Sequence, residues 1–296
     1  MKSAFLVILM IIMTQVGYLD LINSPRTGND SFNDDSSVME TGGSGSAIVY
    51  ANNKLSTGDR HTCAILDNGD VKCWGWDQYG QLGDGGPTWT SSNPTNTDAP
   101  SSTAIDLGTG RTAVALSSGT QHTCAILDNG DLKCWGRDYG GQLGDGGPVW
   151  TLSNPTDINA PSATPIDLGT DRTAVAMATG AAHTCAILDN TDLKCWGRDS
   201  EGQLGDGGSN TNTNTPSTTA IDLGTGRTAV AVESRGYHTC AILDNGDVKC
   251  WGSDEYGQLG DGGPLWYSSS PTDVNAPSTT AIDLGAGRTA IAISAG

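Results

Sequence analysis

From residue 48 onward the apolar positions come in short runs, and none sustains a helical period. Thr112-Ala-Val-Ala-Leu116 and His122-Thr-Cys-Ala-Ile-Leu127 are typical, each bounded by turn-forming residues. The stretch His-Thr-Cys-Ala-Ile-Leu-Asp-Asn-Gly-Asp-Val-Lys-Cys-Trp-Gly, His61 to Gly75, predicts a β-hairpin with its turn at Asp67-Asn68-Gly69. A three-residue loop with Gly in the left-handed region fits this turn, because Gly takes positive φ without steric cost. That loop places Leu66 opposite Asp70, Ile65 opposite Val71, Cys63 opposite Cys73 and His61 opposite Gly75. Strand side chains alternate faces. One face then holds His61, Cys63, Ile65, Val71 and Cys73, with Gly75 leaving room for the imidazole, and the other holds Thr62, Ala64, Lys72 and Trp74.

The hairpin returns at His122–Gly136, His183–Gly197 and His238–Gly252, and every Cys and His of the chain lies in these four copies. A fixed-period recurrence means a repeat architecture. In the third copy Thr191 stands at the turn Gly, so that turn either carries strain or changes type. Each unit runs in one order: a short apolar run, the Cys hairpin, Gly-Gln-Leu-Gly-Asp-Gly, a long loop of Ser, Thr, Asn and Pro, then Ala-Ile-Asp-Leu-Gly (Pro165 replaces the Ala once). Four short strands per unit predict an all-β chain built of four-stranded propeller blades. The units fall near 48–108, 109–169, 170–224 and 225–285, with a partial fifth at 286–296. The third unit is six residues shorter, all lost from its long loop, which marks that loop as surface. The sequence stops inside a unit, and the expectation is an incomplete ring.

The motifs His-Thr-Cys-Ala-Ile-Leu, Gly-Asp-Val-Lys-Cys-Trp-Gly and Tyr-Gly-Gln-Leu-Gly-Asp-Gly, in that order, resemble the repeat of the regulator of chromosome condensation family. The resemblance covers the chain from about residue 48 and implies a propeller, normally of seven blades. It departs from the family pattern in its paired Cys, its four hairpins and its apparent export. The family's founding activity is guanine nucleotide exchange on a nuclear GTPase, and an exchange-type regulator is the alternative reading that the resemblance implies. The same fold also serves secreted and surface proteins, so function must be argued from sites.

Ahead of the repeats, Met1 to about Val16 carries one Lys and then the apolar run Ala4–Met13. This is the pattern of a secretory signal, with residues 1–22 read as signal peptide or signal anchor. The only membrane contact expected is through such an anchor. Residues 23–47 are polar, acidic and rich in Ser, Gly and Asp, and read as a disordered linker. The chain is expected to be extracellular or at the cell surface.

Composition sharpens this picture at one point. The net charge of −18 does not suit nucleic acid, whose phosphates are met by Lys and Arg.

The candidate chemistry is mostly packing. Facing Cys in an exported chain read as disulfides: Cys63 with Cys73, Cys124 with Cys134, Cys185 with Cys195 and Cys240 with Cys250. Buried thiols, or zinc held by His61, Cys63 and Cys73, are the alternatives. The His recurs identically in four copies, whereas catalysis needs one site, so no catalytic residue, metal or cofactor is assigned. Asp84, Asp145, Asp206 and Asp261 lack the spacing of a calcium hand and read as Asx turns. No repeat's inward loops stand apart chemically from the others. Trp89, Trp150 and Trp266 sit in the long loops of three units, either as contact anchors or as covers for a blade edge. The reading is a non-catalytic binding module for an unknown protein or glycan ligand.

Overall fold

A computed structural model describes residues 54–87, 95–147, 157–263 and 273–296. The signal segment, the acidic linker and the three loop tryptophans lie outside the described residues. Twelve strands form four antiparallel three-stranded sheets among the described residues. The first sheet is β1 (Leu55–Thr57), β2 (His61–Ile65) and β3 (Val71–Gly75). The second is β4 (Ala113–Ser118), β5 (His122–Leu127) and β6 (Leu132–Gly136). The third is β7 (Ala174–Thr179), β8 (His183–Leu188) and β9 (Leu193–Gly197). The fourth is β10 (Ala229–Arg235), β11 (His238–Leu243) and β12 (Val248–Gly252).

The hairpin register is the expected one, with Ile65 opposite Val71, Cys63 opposite Cys73 and His61 opposite Gly75. The turn closes through Leu66 N–H to Asp70 O at 2.8 Å and Gly69 N–H to Leu66 O at 3.0 Å. Thr191 keeps that turn type: its N–H reaches Leu188 O at 2.8 Å while its φ is 70°. The turn therefore holds a β-branched residue in the left-handed region, a strained conformation. One detail of the expectation is corrected. A Cβ on Gly75 would lie 2.5 Å from the Arg60 carbonyl oxygen, so Gly75 makes room for backbone. The imidazole is accommodated by Gly58, where a Cβ would lie 2.3 Å from His61 Cε1.

The fourth strand of each blade is also corrected. Thr97 bridges Gly75, and Ile105 N–H reaches Val71 O at 2.9 Å, but no ladder forms between these two points. Four steps along β3, from Val71 to Gly75, face eight along the outer segment, from Thr97 to Ile105. The surplus loops away through Pro100, which has no N–H to donate. Ile105 and Leu107 still turn inward, 6% and 3% exposed.

Blades stack face to face, and a recurring set of hydrogen bonds fixes each junction, among them the Asn159 side chain to Gly86 O at 2.7 Å. His61 Nε2 lies 2.8 Å from Thr123 Oγ1 of the next blade. Thr123 gives its one hydroxyl proton to Gln81 O at 3.0 Å, so it accepts from His61 and the imidazole carries its proton on Nε2. Trp135 Nε1 also donates to Gln81 O, at 3.0 Å. Gly-Gln-Leu-Gly is thus a clip: its carbonyl takes two donors from the neighbouring blade. Gly83 lets the indole approach, since a Cβ there would lie 2.4 Å from Trp135 Nε1. His122, Thr184, Gln142 and Trp196 repeat the junction, as do His183, Thr239, Gln203 and Trp251. An apolar core lies between each pair of neighbouring blades, the second–third one built around Ile126, Leu143, Leu188 and Trp196.

Candidate binding face

The packing residues are committed. The structure bonds Cys63 to Cys73, Cys124 to Cys134, Cys185 to Cys195 and Cys240 to Cys250, all within the blade interior. Each Cys therefore has its partner sulfur, and His61 Nε2 is spent on Thr123. Burial holds the His61 imidazole down at about 4 and those of His122 and His183 at about 3, so all three stay neutral. Their Nδ1 atoms are buried without a partner. Asp84 closes an Asx turn to Gly86 N–H at 2.9 Å, and Asp145, Asp206 and Asp261 do the same. A deeper carboxylate, Asp77, accepts from Leu82 N–H at 3.0 Å, and burial pushes it up to about 6.

The variable side chains gather elsewhere. Each blade has two ends, one carrying the three-residue hairpin turn and the other the turn into the Cys hairpin (before β2 in the first blade) together with the residue after it (after β3). On that second end, Arg60 lies over the Trp76 ring at 5.4 Å, and Trp76 meets Tyr79 edge-on at 5.4 Å. The Arg137 guanidinium is held between Tyr79 and Tyr139, at 4.4 and 4.5 Å. Arg198 donates to Tyr139 Oη at 2.8 Å and lies over Tyr237 at 4.7 Å. The result is an unbroken arc of arginine and aromatic side chains that crosses all four blades. Guanidinium stacked on a ring keeps its N–H edge pointing outward and loses little freedom on accepting a ligand.

Backbone geometry puts these residues side by side. Trp76 N–H bonds Arg60 O at 2.8 Å, Arg137 N–H bonds Gln121 O at 2.9 Å, and Arg198 N–H bonds Ala182 O at 2.8 Å. The residue before each His and the residue after each Trp-Gly are therefore neighbours on the surface. The fourth blade departs from the expectation of chemically equal repeats. Arg235 stands where the others have Gly58, Gly119 and Gly180, and Glu233 and Tyr237 flank it. Arg235 is exposed, and burial pushes Glu233 above the usual carboxylate range.

Models of the regulator of chromosome condensation (RCC1) repeat match residues 53–81, 113–142, 174–203 and 235–258, and a second model of that repeat matches 68–126 and 129–187. The chain belongs to the RCC1 repeat family. Its curated relatives include the ultraviolet-B receptor UVR8 of Arabidopsis thaliana, 29% identical over 76% of this chain and 46% of the receptor. Another is the human E3 ubiquitin-protein ligase HERC2, 30% identical over 71% of this chain and 4% of the ligase. The chain thus spans half or less of these RCC1-type relatives. Among solved structures, yeast RCC1 (Prp20) bound to Kap60 matches with TM-score 0.60 at 21% identity, over 77% of this chain and 48% of that one. Prp20p from Saccharomyces cerevisiae matches with TM-score 0.60 at 20% identity, over 79% and 50%. These structures fix the fold as an RCC1-type propeller.

Sequence reasoning missed the arc. Arg60 and Tyr237 are far apart in the chain and share no motif, and the pairs that link one blade to the next, Arg137 with Tyr79 and Arg198 with Tyr237, form only when blades stack. The signal available was the pattern of mismatches between the repeats, since the positions flanking the conserved His and Trp-Gly change identity from unit to unit.

Proposed function

We propose that this chain is an exported or cell-surface propeller that binds a protein or glycan ligand without catalysing a reaction. One observation carries the reading: residues common to the four hairpins are spent on disulfides and blade junctions, while the residues that vary gather on one face and in the long loops. A rigid scaffold with variable exposed positions is the usual arrangement for recognition. Relatives titled as a receptor, a ligase and a protein bound to Kap60 accord with a binding or regulatory role. The paired Cys and the N-terminal apolar run support export. Trp89, Trp150 and Trp266 are the loop candidates for contact.

Two measurements test the reading. Fractionation of cells making the full chain should place it outside the cytoplasm, and a cytoplasmic location would refute export. A protein and glycan array should return ligands for the wild type, and replacing the three loop tryptophans with Ala should weaken binding by about 1 kcal/mol or more per engaged site. Unchanged binding together with a lowered melting temperature would make those tryptophans edge covers instead.

A further inference from the structure

The outer segment of the third blade meets β9 at two points only. Gly197 N–H reaches Thr213 O at 2.8 Å and Thr213 N–H reaches Gly197 O at 2.9 Å, while Ile221 N–H reaches Leu193 O at 2.9 Å. Between these points the segment bows away through Pro216 and opens a cavity of about 250 Å³ beside the strand. Its floor is Cys195, Leu204 and Ile221, all buried. Its wall is braced: Asn214 Nδ2 donates to Gly147 O of the second blade at 2.6 Å, and Thr219 N–H donates to Ser217 Oγ at 3.2 Å. Polar groups on this lining are left without partners among the described residues. Thr213 Oγ1 is buried and unpaired. Backbone groups of alternate residues point to the same edge of a strand, so the Cys195 N–H and C=O face outward like those of Gly197, and the outer segment does not bond them. Groups of this kind seek a partner that enters from outside.

Resting on the binding-module reading and narrowing it, we propose that this cavity binds one neutral sugar ring. The apolar floor takes a ring face, and the hydroxyls meet Thr213, the Cys195 backbone and the carboxylates of Asp206 and Asp222. Those two carboxylates are exposed and line the cavity. Each closes its own turn through Oδ1, Asp206 to Gly208 N–H at 2.7 Å and Asp222 to Gly224 N–H at 2.8 Å, which leaves Oδ2 to accept from a ligand. The charge of the lining selects the ligand class. Two carboxylates with no Lys or Arg among the lining residues repel phosphate, sulfate and carboxylate groups. A hydroxyl both donates and accepts, so it satisfies carboxylate oxygens, a backbone N–H and a Thr hydroxyl alike. The size agrees: the cavity lies just below the roughly 300 Å³ at which pockets for drug-sized ligands begin. The loop of this blade that is six residues shorter than the others borders the cavity, from Asp206 to Thr213.

The test is saturation-transfer NMR of the purified full chain with the methyl glycosides of glucose, galactose, mannose and N-acetylglucosamine, followed by titration of any that bind. At least one should bind, and Thr213→Val should weaken it ~tenfold. Val274 and Ile158 hold the equivalent position in the fourth and second blades, so this variant should keep its melting temperature. Thr218→Trp, at an exposed lining position, should fill the opening and abolish binding. No binding of any of the four glycosides by the wild type, or equal binding by the two variants, would overturn the proposal. Tetramethylammonium bound where no glycoside is would overturn it too, and assign the cavity to a small organic cation. The assay does not depend on export or on the loop tryptophans. An array ligand held equally by the wild type and both variants would sink this inference and leave the binding-module reading standing.

Discussion

At the scale of single residues, the buried histidines set the response to acid. A His whose folded pKa is depressed contributes stability in full above its unfolded pKa of about 6.5, and loses it as pH falls toward the folded value. For His61 that window runs down to about 4, and for His122 and His183 to about 3. Asp77 and Asp199, raised to about 6, act oppositely: the fold gains from them as pH falls from about 6 toward the ordinary carboxylate value. Destabilisation should therefore begin just below pH 6.5, be partly offset between pH 6 and 4, and steepen below 4. Imidazole proton resonances of these three residues should titrate at pH 4 or lower, and midpoints near 6.5 would contradict the burial. Thr191 offers a second residue-scale check. Releasing its left-handed strain by Thr191→Gly should stabilise by about 1 kcal/mol in urea unfolding, and Gly130→Thr should destabilise comparably. No gain from Thr191→Gly would show that the turn accommodates Thr without strain.

At the scale of elements, each hairpin is a closed unit. Cys63 and Cys73 face each other directly in the β2–β3 register, as do the equivalent pairs. The chain-entropy estimate for a loop this short is about 2.8 kcal/mol per bridge, an upper value because a hairpin already restrains the unfolded chain. Alkylation of the unreduced, denatured protein should label no Cys, and reduction should expose eight thiols. Labelling of all eight without reductant would refute the bridges. Between blades, Gly83→Ala should cost about 2 kcal/mol or more, because the new Cβ drives Trp135 off the Gln81 carbonyl. Gly86→Ala is the control: it lies on the same loop, its carbonyl keeps its bond from Asn159, and a Cβ there meets only the Asp84 side chain, away from the indole. Equal losses in the two variants would show that the clip does not carry the junction.

At the scale of the whole molecule, stability is distributed along a stack in which each blade leans on its neighbours. The second and third blades bury both faces of their hairpins, with Trp135 and Trp196 wholly inaccessible. In the first blade the face bearing Thr62 and Ala64 is half-buried. Native-state hydrogen exchange should accordingly protect β5, β6, β8 and β9 more strongly than β2 and β3. Uniform protection across the four blades would indicate one cooperative unit instead. The long loops stand outside this stack: Gly197 bridges Thr213 although the loop between them is six residues shorter than that between Gly75 and Thr97. Lengthening the third loop after Asn210 should cost less than about 1 kcal/mol.

The sequence by itself determined what depends on local spacing. The three-residue turn fixed which side chains face each other, and so the cysteine pairs, the two faces of every hairpin and the Asx turns were legible from residue order. Thr191 was legible as a strained turn position for the same reason. The fourth strand was misread because apolar alternation in Ala-Ile-Asp-Leu-Gly says that Ile105 and Leu107 turn inward, which they do, but cannot say whether backbone partners are in step. That is decided by how many residues the two edges spend between shared contacts. The role of Gly58 against the imidazole, the double use of the Gln81 carbonyl and the arginine–aromatic arc depended wholly on tertiary structure. Gly58 meets the imidazole through the turn into β2, whereas the carbonyl's two donors and the links of the arc between blades join atoms that stacking brings within reach, as with His61 and Thr123, 62 residues apart in the chain. Repetition made the packing residues conspicuous in the sequence. The same repetition made the exceptions among them look incidental, until the blades set those exceptions on one face.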